Sequence, residues 1–282
     1  MNLPRLLTVG LFALGTLTAT AAPDQWVFVG TYTRGTHTDD SLSNPMSQGI
    51  YALGFDSQTG KLEEPVLVAP MTDPSYVTLH PSGKYLYAVS ELDSGNVSAF
   101  RVDPANAHLT LINRQAALGD AACHVNVDAT GKVAVIANYT SGDIVSYPIG
   151  EDGALGPAAS FVEHFGESYA DPDRQEAPHA HSVNFDKDNH FVFAADLGCD
   201  KVFIYKMDPT TARLSPNNPA SVSVPPAGGP RHFAFLPSGK FAYVVNEMAC
   251  TITGFSYDPA KGALTVLETI SLLPPGVAEN GE

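Results

Sequence analysis

The sequence predicts an all-β protein assembled from repeated four-stranded sheets, and three observations carry that reading. Glycine and proline, 24 and 22 of the 282 residues, are spread along the chain, which favours many short elements joined by tight turns over long helices. A turn signature recurs in residues 80–91, 128–139, 186–197 and 236–247, and its turn residues Gly83, Gly131, Asn189 and Gly239 stand 48, 58 and 50 residues apart. Between these turns lie short runs rich in valine, isoleucine, phenylalanine, tyrosine and threonine with partial alternation, the mark of half-buried antiparallel strands.

Residues 1–21 read as an export signal outside the fold. Arg5 supplies the positive start, Leu6 to Leu17 an apolar stretch, and Ala19-Thr20-Ala21 a small-x-small cleavage pattern. The apolar stretch is short for a hydrocarbon core of ~30 Å. The mature chain, residues 22–282, is therefore expected to be periplasmic or secreted, with no membrane contact after cleavage. Its first strand, within residues 26–33, matches the second strand of the later repeats, and nothing before it matches a first.

Each later repeat enters on strand a, turns at the Ser-Gly-Lys-like signature into strand b, and turns again between strands c and d at a second signature. That signature occupies residues 55–62, 102–109, 207–214 and 257–264, with a shorter version at 150–155. Most copies combine Asp, often followed by Pro, with Gly or a polar residue, in keeping with a turn that needs a preset φ and then a positive one. The 58-residue interval is explained by an insertion in residues 165–182. A four-stranded unit of roughly 48 residues is the period of a β-propeller blade, whereas helical repeats need longer amphipathic segments that these turns interrupt. The mature length makes about five blades. Residues 271–282 read as the end of a fourth strand running into a loop, so the expectation is an incomplete ring that stops one or two blades early, with an unusual five-bladed ring as the alternative.

Composition narrows the function. Asp and Glu number 30 against 15 Lys and Arg, a formal net charge of −15, which argues against a nucleic-acid partner. An apolar content of 44% excludes a disordered chain. Three cysteines, Cys123, Cys199 and Cys250, form neither a disulfide framework nor a zinc pattern. An oxidising compartment permits a Cys199–Cys250 bridge, although the odd count favours free thiols. No GxSxG elbow, Walker loop, GxGxxG fingerprint or HExxH motif occurs, and no metal or cofactor is expected.

Topology assigns the polar residues to faces. The a–b and c–d turns share one end of the blades, so Lys84, Lys132 and Lys240 are scaffold. The other end gathers Glu91, Asn138, Asp196, Asn246 and Glu247 from the ends of strand b. It also gathers Ser75, Cys123, His124, His179, His181, Arg231 and His232 from the starts of strand a, with Tyr32, Tyr76 and Tyr139 nearby. Such a set suits acid–base work on a polar, anionic small molecule. Cys123 and His124 are neighbours on a strand and point to opposite faces, so a Cys–His dyad is not expected. His37, His80, His108, His164 and His190 fall in turns or loops and are expected to be solvated.

On residues 29–33, 49–56, 178–183, 196–205, 228–235 and 243–248, in this order and blade spacing, the chain resembles the seven-bladed propeller lactonases typified by bacterial 6-phosphogluconolactonase, with the fungal carboxymuconate-lactonising enzyme as a relative. The resemblance implies a ring of seven blades, of which about five are present here, and metal-free hydrolysis of 6-phosphogluconolactone to 6-phosphogluconate. Members of the family usually carry two further blades with another arginine. The family's motif residues map onto His181, Arg231, His232 and Glu247. We assign His181, Arg231 and Glu247 to catalysis, and His124, His179, Asp196, His232 and Asn246 to substrate binding. A neutral His181 is the expected base toward water and Arg231 the expected anion contact, with a bridge from Arg231 to Glu247 as the plainer alternative. A carboxymuconate cycloisomerase, a metal-dependent gluconolactonase and a non-catalytic binding propeller remain as other readings. The expected partner is a small lactone, and the expected state a monomer.

Overall fold

A computed structural model describes residues 25–34 and 47–277. The expected export signal, residues 1–21, and His37 lie outside the described residues. Within them there is no helix, and twenty strands pair into five antiparallel four-stranded sheets. Blade one contains β1 (Gln25–Val29), β2 (Gly49–Asp56), β3 (Lys61–Leu62) and β4 (Val66–Pro70), with β3 and β4 both paired to β2 and sharing the outer position. Blade two runs β5 (Val77–Leu79), β6 (Tyr85–Ser90), β7 (Asn96–Val102) and β8 (Leu109–Ala116). Blade three runs β9 (Ala122–Val127), β10 (Val133–Asn138), β11 (Asp143–Pro148) and β12 (Ser160–Glu163). Blade four runs β13 (Ala180–Phe185), β14 (Phe191–Asp196), β15 (Lys201–Asp208) and β16 (Arg213–Ser223). Blade five runs β17 (Pro230–Phe235), β18 (Phe241–Asn246), β19 (Thr251–Asp258) and β20 (Ala263–Ser271).

First strands pack on first strands, through β5, β9, β13 and β17, and outer strands on outer strands, as β12 on β16 and β16 on β20. That arrangement stacks the sheets face to face around an axis, as in a propeller. β1 begins blade one at the second-strand position, as its sequence predicts.

Neighbouring blades cover both faces of a middle sheet, which explains why β6, β10 and β14 are buried at every residue rather than at alternate ones. The core is correspondingly four layers, one between each pair of successive blades. Between blades four and five, Phe193, Val202 and Ile204 meet Phe233, Val244 and Phe255. Each such large side chain contributes about 1.5–3 kcal/mol by leaving water. Phe241 and Tyr243 on β18 point away from that layer and stay exposed among the described residues.

Turns lock the blades together. Gly153, in the c–d turn of blade three, has φ +82°, and a Cβ there would overlap the ring of Tyr85 in blade two. Gly262, in the c–d turn of blade five, has φ +62° and stands the same way over Phe191 in blade four. Only glycine satisfies both the left-handed backbone and the close approach. Gly262→Ala should lower the unfolding free energy by about 2 kcal/mol or more in urea titrations. A change within about 0.5 kcal/mol would show that the turn relaxes freely.

Candidate active site

A β-bulge recurs at the same place in three blades. In blade three, Ala122 pairs with Asn138 and His124 with Ala137, which leaves Cys123 unopposed. His181 is the extra residue in blade four, between Ala180 and Ser182, and Arg231 in blade five, between Pro230 and His232. Backbone bonds Glu91 N to Asp73 O, Tyr139 N to Ala121 O, Leu197 N to His179 O and Glu247 N to Gly229 O put Ser75 of blade two at the equivalent position. An extra residue re-aims its side chain. Ser75, Cys123, His181 and Arg231 all line one depression of about 490 Å³.

The ends of strand b sort into two positions. Ser90, Asn138, Asp196 and Asn246 are equivalent and buried, and each secures nearby backbone or side chains. Asn138 Nδ2 donates to Ala117 O, Asn246 Nδ2 donates to Thr251 Oγ1 and Thr253 Oγ1, and Asp196 Oδ1 accepts from the N–H groups of His179 and Cys199. The next residue along, Glu91, Tyr139 or Glu247, lines the depression.

Three charged groups and a histidine meet at the wall formed by blades four and five. Arg231 Nε–H donates to His181 Nε2 at 3.1 Å, and the same nitrogen forms an ion pair with Glu247, 2.7 Å from Oε2. His181 Nε2 lies 3.8 Å from Glu247 Oε2. Arg174 Nη2 donates to Glu247 Oε1 at 2.8 Å and to the Tyr139 hydroxyl at 3.3 Å. The Tyr139 ring meets His181 edge-on and stacks on His179. On the opposite wall, the Tyr32 hydroxyl donates to Glu91 Oε2 at 2.8 Å. Asp73 places Tyr32 by accepting from the N–H groups of Thr33 and Arg34 and from Arg34 Nε.

Environment sets the protonation states. Burial, and next the charge of Arg231, push His181 down to about 4. Burial and Arg231 also lower His232. Burial opposes ionisation of Glu247, yet the Arg174 hydrogen bond together with His181 and the two arginine charges holds its carboxyl below the usual range. The Cys123 thiol is pushed up, by burial first and then by Glu91, and is a poor nucleophile.

A buried carboxylate holds the two arginine-bearing segments together. Asp200 Oδ1 accepts from Gln175 Nε2 and Gly229 N, both at 2.8 Å, and Oδ2 accepts from Ser168 Oγ and Ala227 N. The 165–182 insertion, which carries Arg174, is thereby tied to the Gly228-Gly229 segment that leads into Arg231. Neither Arg174 nor Asp200 was among the residues the sequence marked.

The three catalytic assignments, His181, Arg231 and Glu247, lie together, with His232 beside them. Four residues assigned to binding do not line the depression. Asp196 and Asn246 are fully buried behind the wall, and His179 sits beneath Tyr139 with its Nδ1 bonded to Tyr139 O at 3.0 Å. His124 occupies the position after the bulge and is buried against Tyr76 and His232. The solvated reading of His164 is also overturned, because its side chain is fully buried and its Nδ1 lies 2.6 Å from Asp196 Oδ2. His80 is bonded to Gly131 O, while His108 and His190 are exposed. Cys199 and Cys250 are free thiols, and Cys199 donates to Gly166 O. Among the described residues no group of three or more His, Cys, Asp or Glu side chains is arranged to hold a metal ion.

Burial, followed by the charges of His232 and His181, holds His124 well below its ordinary value. The unfolded chain therefore binds a proton that the folded chain refuses, and the stability from neutral His124 is full above about pH 6.5 and lost on acidification. His124→Asn should reduce the pH 7-to-5 loss of unfolding free energy by about 2 kcal/mol in denaturant titrations. An undiminished loss would contradict a neutral His124.

Residues 26–282 match the family described as "Lactonase, 7-bladed beta-propeller". The 6-phosphogluconolactonase of Bacillus subtilis is 34% identical over 256 residues, 90% of this chain and 69% of that protein. That of Formosa agariphila is 30% identical, over 74% of this chain and 60% of its own length. The structure of a periplasmic gluconolactonase from Pseudomonas aeruginosa superposes with a TM-score of 0.80 at 33% identity, covering 89% of this chain and 69% of that one. The chain thus spans between 60 and 69% of the length of these relatives.

Proposed function

The chain belongs to the lactonase, seven-bladed β-propeller family, and on that premise we propose that it hydrolyses a sugar lactone of the 6-phosphogluconolactone kind with water activated at His181. The observation that carries this reading is the hydrogen bond from Arg231 Nε–H to His181 Nε2, with Glu247 Oε2 ion-paired to the same nitrogen. Accepting that hydrogen leaves the neutral imidazole with its own proton on Nδ1.

Arg231 already lies closer to Glu247 than to His181. When its Nε–H turns from His181 to Glu247, the His181 Nε2 lone pair is free to take a proton from water. The hydroxide so formed adds to the lactone carbonyl carbon. The Nη hydrogens of Arg231, which bond to none of the described residues, stabilise the oxyanion. Collapse of the tetrahedral adduct breaks the ring C–O bond, and the imidazolium returns its proton to the departing alkoxide, leaving the hydroxy acid. Glu247, 3.8 Å from Nε2, stabilises the imidazolium in between. We also infer export, supported by the pattern in residues 1–21 and by the periplasmic location in the name of the Pseudomonas aeruginosa relative.

His181→Ala and Arg231→Ala should each lower kcat/KM on 6-phosphogluconolactone by about 100-fold or more, with circular dichroism unchanged. Near-wild-type turnover in both variants would refute the assignment. Since the base must be neutral, activity should fall as pH drops through about 4, the value to which burial and Arg231 bring His181. An acid limb at the ordinary histidine value of about 6.5 would contradict it.

A further inference from the structure

Arg174 and Arg231 are the only cationic side chains that line the depression among the described residues. They flank the Glu247 carboxylate, one on each oxygen. With His181 and His232 neutral near pH 7, this wall carries one net positive charge inside a chain of formal net charge −15. Arg231 is committed to Glu247, to His181 and to the reacting carbonyl. Arg174 spends only Nη2, on Glu247 and Tyr139, and its Nε and Nη1 hydrogens bond to none of the described residues. Its side chain is 45% exposed, so that free edge is open to a ligand.

The arginine is also held in place beforehand. Gln175, the next residue, is fully buried and donates to Leu197 O and Asp200 Oδ1, and its Oε1 accepts from Asp171 N. A guanidinium fixed in this way loses little freedom when it closes on a planar or tetrahedral oxyanion.

We propose that Arg174 is a specificity-determining residue that grips a phosphate or carboxylate substituent of the substrate while Arg231 attends to the reacting carbonyl. The proposal deepens the lactonase reading and rests on it for the role of Arg231. Glu247 then has a second task, because it holds the two guanidiniums side by side without cancelling both. Arg174 gives the insertion in blade four a role at the rim.

Calorimetric binding of non-reacting sugars to the full chain tests the proposal without requiring turnover. Glucose 6-phosphate, glucuronate and glucose serve as the phosphate, carboxylate and neutral probes. The wild-type protein should bind at least one anionic sugar about tenfold or more tightly than glucose, and the preferred one identifies the substituent. Arg174→Gln should remove most of that preference and Arg174→Lys should keep part of it, because a point charge replaces the fork. Retention of the full preference in Arg174→Gln, or no preference in the wild type, would overturn the proposal. Absence of lactone turnover with the anion preference intact would instead count against the lactonase reading alone.

Discussion

A single hydrogen bond, from Arg231 Nε–H to His181 Nε2, ties the site together, with Glu247 ion-paired to the same nitrogen. It fixes the nitrogen that bears the lone pair, while the Arg231 charge adds to burial in holding the imidazole neutral and to the Arg174 hydrogen bond in keeping the carboxylate ionised. Arg174 and Tyr139 support that arrangement. Arg174 occupies the second carboxylate oxygen, so Glu247 cannot turn away. Tyr139 backs both Arg174 and His181. Without Arg231, burial alone would still depress His181, but no described residue would donate to its Nε2.

The fold makes this possible by giving blades three, four and five the same bulge. A regular strand would send alternate residues into the two inter-blade layers, and none would aim squarely along the axis. One unopposed residue in blades three, four and five breaks that alternation where the loops begin, and the backbone bonding places Ser75 of blade two in the same series. The scaffold is thus fourfold repetitive, while the chemistry is not: the series reads serine, cysteine, histidine, arginine, and only the last two suit water activation and charge stabilisation. Rigidity comes from buried polar anchors directly behind the rim, Asn138, Asp196 and Asn246 in the strands and Asp200 between the loops. Their hydrogen bonds are shielded from water, which makes each one costly to break.

Much of the architecture was legible in the sequence, because spacing of turns is a one-dimensional property. The Gly83, Gly131, Asn189 and Gly239 series located the blades, and the lack of a match before residues 26–33 located the missing first strand. The end of the blades that carries the polar cluster followed from the order of turns. Finer placement did not follow. A bulge shifts register by one residue without any turn residue to announce it, so Cys123 and His124 could not be told apart by alternation, and Asp196 and Asn246 looked like rim residues although the rim begins one residue later. Arg174 and Asp200 were hidden for another reason: their roles depend on how an insertion folds back over a neighbouring blade, which no repeat in the sequence encodes.

The most direct test of the account is the tautomer of His181, read from the long-range nitrogen–proton correlations of its ring by NMR between about pH 5 and pH 8. The hydrogen bond from Arg231 to His181 predicts a neutral ring throughout, protonated at Nδ1 and bare at Nε2. A ring protonated at Nε2, or one that gains charge within this interval, would contradict it.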